Sequence, residues 1–266
     1  MMKTEMIKGI EVFSCLPADA TDRAPLLFVH GAFAGGWMWA DTFMPFLADA
    51  GYPCHAVSLR GHGGSSGRER IDWHSIADYV EDVATVIDWL ERQPVLVGHS
   101  MGGFVIQKYL ERHAVPAAVL LCSVPPQGFI AAQFHLLFRK PHLFMDINRI
   151  MGGDYADTGT LREALFAGEV DEAMLEIWLR RMQPESHQAL WDMSMFNLPR
   201  LHAMNRPPML ILGAEHDVLV PAFLVQSTGR SYGLPVHIFR DMGHAVTHER
   251  EWHVVAGAVS AWLETL

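Results

Sequence analysis

Gly98-His99-Ser100-Met101-Gly102 is the most chemically pointed stretch of the chain. The apolar run Pro94-Val95-Leu96-Val97 precedes it, and the helix-forming run Phe104-Val105-Ile106-Gln107-Lys108-Tyr109-Leu110 follows it. Strand, sharp turn and helix, with a serine at the apex, is a frame that lifts a hydroxyl clear of a sheet. Ser100 is expected in a strained backbone conformation, with Gly98 and Gly102 leaving room that a Cβ would fill. The helix behind Ser100 points its positive end at the spot where an oxyanion would be held. Glycine and serine also cluster in ordinary loops, but without this flanking context. A serine hydroxyl is a poor nucleophile at neutral pH. It needs a base within hydrogen-bond reach and a third group that orients the base.

Groups far apart in sequence converge only on a framework. Short apolar runs suited to strands buried on both faces occur at 26–29, 95–99, 117–122, 209–212 and 236–239, with further strands expected at 7–15, as an edge, and 52–59. Helical patterns lie between them. A helix at 37–50 is closed by Gly51, and Ile76, Val80, Val83, Ile87 and Leu90 repeat at alternating steps of four and three. A closing helix is expected over 249–263. Such alternation implies a mostly parallel sheet covered on both faces. From 125 to about 200 the alternation breaks into helical sequence rich in Phe, Met, Leu and Arg.

The 266 residues, half of them hydrophobic, suffice for one large α/β domain with a small subdomain. The formal charge of −10 offers no clustered basic face for nucleic acid. No run approaches the roughly 20 apolar residues of a membrane span, and the first residues lack a signal-peptide core, so a cytoplasmic location is the expectation. Cys15, Cys54 and Cys122 match no ligand spacing and are expected as buried reduced thiols. No metal and no organic cofactor is called for.

Over nearly its whole length, apart from the central helical insert, the chain resembles the α/β-hydrolase family, serine-esterase type. The resemblance implies an α/β fold: a mostly parallel central sheet of about eight strands, helices on both faces, and a helical cap. Residues 1–124 and 201–266 would form the core domain and 125–200 the cap subdomain. Gly213-Ala214-Glu215-His216-Asp217 resembles the family's acid loop and puts Asp217 in the acid position. Asp241-Met242-Gly243-His244 resembles its histidine loop and makes His244 the base. Among the fifteen histidines, His30, His62 and His99 sit in glycine-rich turns and are expected to brace loops, while Glu215 and Asp241 are rival carboxylates. Some family members carry the acid after an earlier strand. Here that place reads Ser123-Val124-Pro125 and offers none.

The oxyanion hole needs two backbone N–H groups. One belongs to Met101, after the nucleophile. By resemblance the other is Ala32, in the loop His30-Gly31-Ala32-Phe33-Ala34-Gly35-Gly36-Trp37. Phe33, Phe138, Trp178, Met182 and Trp191 are expected to line the substrate pocket. Arg60-Gly61-His62-Gly63-Gly64-Ser65-Ser66-Gly67 lacks the ending of a phosphate loop and reads as structural. The family often has an aspartate before this loop, where this chain has Ser58.

The reaction expected is hydrolysis of a carboxylic ester of a hydrophobic small molecule through an acyl-enzyme. Thioesterase, lactonase, amidase and carbon–carbon-bond hydrolase use the same triad and remain alternatives. A serine at the apex argues against opening epoxides or cleaving carbon–halogen bonds, for which the family uses an aspartate. The oxyanion loop is similar to that of plant methyl-ester esterases and hydroxynitrile lyases, but Ala245 stands where the lyases carry a lysine. A ligand-binding or receptor protein with slow turnover is the rival of another class. Monomer and homodimer are both open.

Overall fold

The computed structural model describes residues 2–151 and 157–266; Met1 and residues 152–156 of the expected cap range lie outside the described residues. In chain order come β1 (Met2–Ile7), β2 (Ile10–Cys15), β3 (Leu26–Val29), α1 (Trp37–Ala40), α2 (Phe43–Asp49), β4 (Cys54–Ser58) and α3 (Ile76–Trp89). There follow β5 (Val95–His99), α4 (Met101–Tyr109), β6 (Ala118–Leu121), α5 (Ile130–Arg139), α6 (Pro141–Met151), α7 (Thr158–Leu165) and α8 (Glu172–Arg181). Last are α9 (His187–Trp191), a π-helical turn (Asp192–Phe196), β7 (Met209–Ala214), α10 (Ala222–Tyr232), β8 (Val236–Phe239) and α11 (Trp252–Leu263). The eight strands form one sheet in the order β1-β2-β4-β3-β5-β6-β7-β8. Only the β1–β2 and β2–β4 pairings are antiparallel. This is the α/β-hydrolase fold.

The central strands are apolar throughout because both faces are covered. Leu26 and Phe28 of β3 face one layer with Trp39, Phe43, Val255 and Val259, while Leu27 and Val29 face Val83, Phe104, Val105 and Leu224. Parallel strands crossing over through helices leave their C-terminal ends together on one edge, where ligands bind in open α/β sheets. The loops carrying Ala32, Ser100, Asp217 and His244 all leave strands at that edge. Between β6 and β7 run α5 to α9.

Three elements differ from the sequence expectation. The single edge strand at 7–15 is a hairpin that turns at Lys8 (φ 49°) and Gly9 (φ 84°), so β1, and not β2, is the edge. The helix expected at 37–50 is interrupted at Asp41 and Thr42, and Thr42 is non-helical at φ −131°. The closing helix begins at Trp252. Glu249, expected inside it, instead accepts N–H donors from Gly243 and Ala167, both at 2.7 Å. The expected aspartate-less loop has a replacement brace. Ser58 donates to Glu11 Oε2 at 2.7 Å and accepts from Gly36 N–H at 2.9 Å, so the carboxylate comes from the neighbouring strand.

Candidate active site

Ser100 stands between β5 and α4, as the N-cap of α4, with φ 53° and ψ −117°. A non-glycine residue in that region carries about 1–3 kcal/mol of strain and persists only when its surroundings enforce it. The glycines on either side enforce it. A Cβ on Gly98 would stand 2.6 Å from Gly103 N, and one on Gly102 would meet Val29 O and lie 2.6 Å from His30 O. The helix behind the serine therefore packs directly on the backbone that leaves β3. Gly31, next along that backbone, would place a Cβ 3.1 Å from Ser100 Cβ. Ala32 and Met101 line the same cavity as Ser100.

His30 ties this loop down. Its Nε2 accepts from Leu59 N–H at 3.0 Å, which leaves Nδ1–H to donate to Gly31 O at 2.7 Å. Burial, aided by the neighbouring His62, pushes its pKa down to about 3, so the ring stays neutral in that tautomer.

Asp217 is buried after β7. Its Oδ1 accepts from the N–H groups of Leu219 (2.9 Å) and Val220 (2.7 Å), and its Oδ2 accepts from His244 Nδ1 at 2.8 Å. Cys122, at φ 46° and fully buried, has its sulfur within 4.8 Å of this carboxylate, and burial, then the Asp217 charge, raises its thiol pKa. The Cys122, Asp217 and His244 ligand-type atoms lie within 4.8 Å of one another, and the hydrogen bond between Asp217 and His244 already occupies two of the three.

His244 and Ser100 face one cavity of about 580 Å³. Behind His244, the His99 ring sits 4.6 Å away and donates Nε2–H to His244 C=O at 2.9 Å. Burial, then the neighbouring His244, lowers the His99 pKa to about 3. Two neutral buried histidines thus hold the backbone on either side of the serine.

Phe33, Trp178, Met182 and Trp191 line the cavity, Trp178 wedged edge-on against Trp37 and Phe166. Phe138 does not. It is 79% exposed and stacks on Phe134, because Ala132 and Leu136 form the inward stripe of α5 and Phe138 falls on the opposite side. Glu215, His216 and Asp241 form an exposed group away from Asp217, with Glu215 accepting from Asp241 N–H at 3.3 Å. His62 is buried in a charge pair with Glu185, a residue the sequence reading did not single out.

A model of the alpha/beta hydrolase family matches residues 26–258. The chain belongs to the α/β-hydrolase family. Non-heme chloroperoxidase CPO-A1 of Kitasatospora aureofaciens is 36% identical over 122 residues, 44% of this chain and 42% of that protein. The bifunctional esterase/perhydrolase DCH of Acinetobacter calcoaceticus is 37% identical over 128 residues, 44% of this chain and 43% of that protein. The match to these curated relatives therefore spans less than half their length. The esterase EaEST from Exiguobacterium antarcticum superposes on this hydrolase with a TM-score of 0.73 at 19% identity, covering 98% of each chain, which shows the shared fold.

Sequence reasoning missed Glu185 and gave Glu249 and Cys122 no part beyond a helix start and a buried thiol; the carboxylates act on backbone groups and other side chains. No local motif marks them. Glu185 is one of ten carboxylates between residues 125 and 200, so its residue type does not mark it either. Among the described residues, no helix is long and apolar enough to cross a membrane.

Proposed function

We propose that this hydrolase cleaves carboxylic esters of uncharged, hydrophobic small molecules through an acyl-enzyme on Ser100. The observation that carries this reading is the cavity. Ser100 and His244 open onto it, and its described lining holds no Asp, Glu, Lys or Arg side chain. An ionised substrate group would find no counter-charge there and would lose its hydration unpaired. A neutral ester with an apolar acyl or alcohol part matches those walls. Substrates bearing a carboxylate or phosphate, among them many for thioester and carbon–carbon-bond hydrolysis, fit less well.

In the proposed reaction His244 takes the proton of Ser100 as the serine oxygen attacks the ester carbonyl. Asp217 holds His244 Nδ1–H, leaving Nε2 free to accept, and stabilises the imidazolium that forms. The amides of Met101 and Ala32 receive the developing oxyanion. His244 returns the proton to the departing alcohol, then activates water to free the acid. The helices α5 to α9 serve as the cap, supplying the Met and aromatic walls of the acyl site.

The test is a p-nitrophenyl ester series from acetate to octanoate with wild type and Ser100→Ala. Wild type should favour hexanoate over acetate, and Ser100→Ala should fall by at least about 10³-fold in kcat. Retained turnover in Ser100→Ala removes the nucleophile assignment, and a preference for acetate removes the apolar-site assignment.

A further inference from the structure

Glu185 is a buried carboxylate for which the proposed reaction has no use. It lies between α8 and α9, is 1% exposed, and reaches three parts of the core. Its Oε1 accepts from Tyr79 OH at 2.7 Å and from Ser186 N–H at 2.8 Å. Its Oε2 accepts from Phe33 N–H at 3.3 Å and lies 3.2 Å from His62 Nε2. The His62 ring N–H is not aimed squarely at that oxygen, so this last contact is mainly charge with charge. His62 is fully buried, with Nδ1 3.2 Å from Arg60 C=O. Burial alone would strip its charge, but Glu185 outweighs burial and raises its pKa; in the same way His62 outweighs burial and lowers that of Glu185. Each shift favours the charged form of its group.

Gln183, two residues before, works on the same target. Its backbone N–H donates to Phe33 C=O at 3.0 Å, and its Oε1 accepts from Gly63 N–H at 2.6 Å. Both backbone groups of Phe33 are therefore held by the segment 183–185. Phe33 has φ 63°, a left-handed conformation that a bulky residue keeps only when over-determined. Phe33 also follows Ala32. The Phe33 N–H shares a rigid peptide plane with Ala32 C=O, and His30 holds Gly31 O, which shares a plane with the Ala32 N–H. Ala32 φ and ψ are the two soft angles between those clamped planes.

We infer that Glu185 is a positioning residue for the oxyanion hole. Through Phe33 it fixes the direction of the Ala32 amide, so that docking of the inserted helices and assembly of the hole are one event. The inference rests on the Ser100 hydrolase reading above.

Glu185→Gln tests it. The amide has one acceptor, and Tyr79 OH and Ser186 N–H make the shorter bonds to Oε1. The NH₂ then faces Phe33 N–H and pushes it away. Wild type and variant are assayed on p-nitrophenyl hexanoate and its thionoester, whose sulfur is a poor acceptor in the hole. Glu185→Gln should lower kcat on the ester by at least tenfold with KM within threefold, and shrink the ester-to-thionoester ratio of kcat/KM. Outright loss of one donor, 10²–10³ in kcat, is the ceiling.

Glu185→Gln leaves the buried His62 without its counter-charge, which lowers stability. The double variant His62→Gln/Glu185→Gln removes both charges and should regain melting temperature while keeping the shrunken ratio, since the NH₂ still faces Phe33. Recovery of kcat along with melting temperature, or a ratio within twofold of wild type in both folded variants, overturns the inference and leaves Glu185 as packing glue. Absence of Ser100-dependent turnover in wild type instead refutes the hydrolase reading itself.

Discussion

Replacing Asp217 by Asn tests the proposed triad more sharply than deleting the side chain, because the surrounding backbone dictates how the amide must sit. Oδ1 receives two short N–H bonds, from Leu219 and Val220, while Oδ2 receives one from His244. An asparagine can offer an oxygen to only one of these sides. Turning its NH₂ toward the two backbone donors would leave both buried N–H groups unpaired, at about 1–3 kcal/mol each. The oxygen is therefore held at the Oδ1 position by roughly 2–6 kcal/mol, and the NH₂ is turned on His244 Nδ1. His244 must then accept at Nδ1 and carry its proton on Nε2, the tautomer that cannot take a proton from Ser100. The same logic in serine proteases costs about 10⁴ in kcat with the geometry intact. We expect a loss of about 10³–10⁴ in kcat for p-nitrophenyl hexanoate, with KM within a few fold and melting temperature within about 5 °C of wild type. Stopped-flow turnover beside a thermal melt reads all three. A kcat within tenfold of wild type, in a folded variant, would show that Asp217 does not set the tautomer of the working base.

Two further predictions concern the framework. Gly102→Ala would drive a Cβ into the backbone oxygens of Val29 and His30, atoms that cannot rotate aside. A cost of at least about 3 kcal/mol and a melting temperature lower by roughly 6–12 °C are expected, and a change under 2 °C would mean the elbow does not pack as described. His30 and His99, pushed by burial down to about 3, and His55 and His248, pushed by burial down to about 4, stay neutral in the fold at pH 5. Unfolded, each takes up a proton below its ordinary value of about 6.5. Stability is thus fully present above that value and is lost as pH falls through it, with a slope of about 5 kcal/mol per pH unit by pH 5 from four protons. Urea melts at pH 7 and pH 5 that agree within 1 kcal/mol would refute the buried-neutral assignment.

What the sequence by itself determined is the part of this protein written in local pattern. Runs such as Leu26–Val29 and Val95–His99 must be buried on both faces, because no polar alternation offers a wet side. Gly98, Ser100 and Gly102 specify a turn that a Cβ at either flank would forbid. Where a local signal was weak the reading slipped: Lys8-Gly9 turns a supposed single strand into a hairpin, and Asp41-Thr42 interrupts a helix whose apolar pattern runs straight through. Only the tertiary structure decided which groups meet. Phe138 and Leu136 are both apolar residues of α5, and which of them faces the cavity depends on what that helix packs against. Asp217 beside Cys122, Glu249 on Ala167 and Glu185 on Phe33 are contacts between segments tens of residues apart, several made to backbone groups that every residue type shares. Hydrophobic period and glycine sterics act over a few residues and can be read along the chain. A hydrogen bond to a distant amide leaves no such trace, and exists only once the sheet has brought the two together.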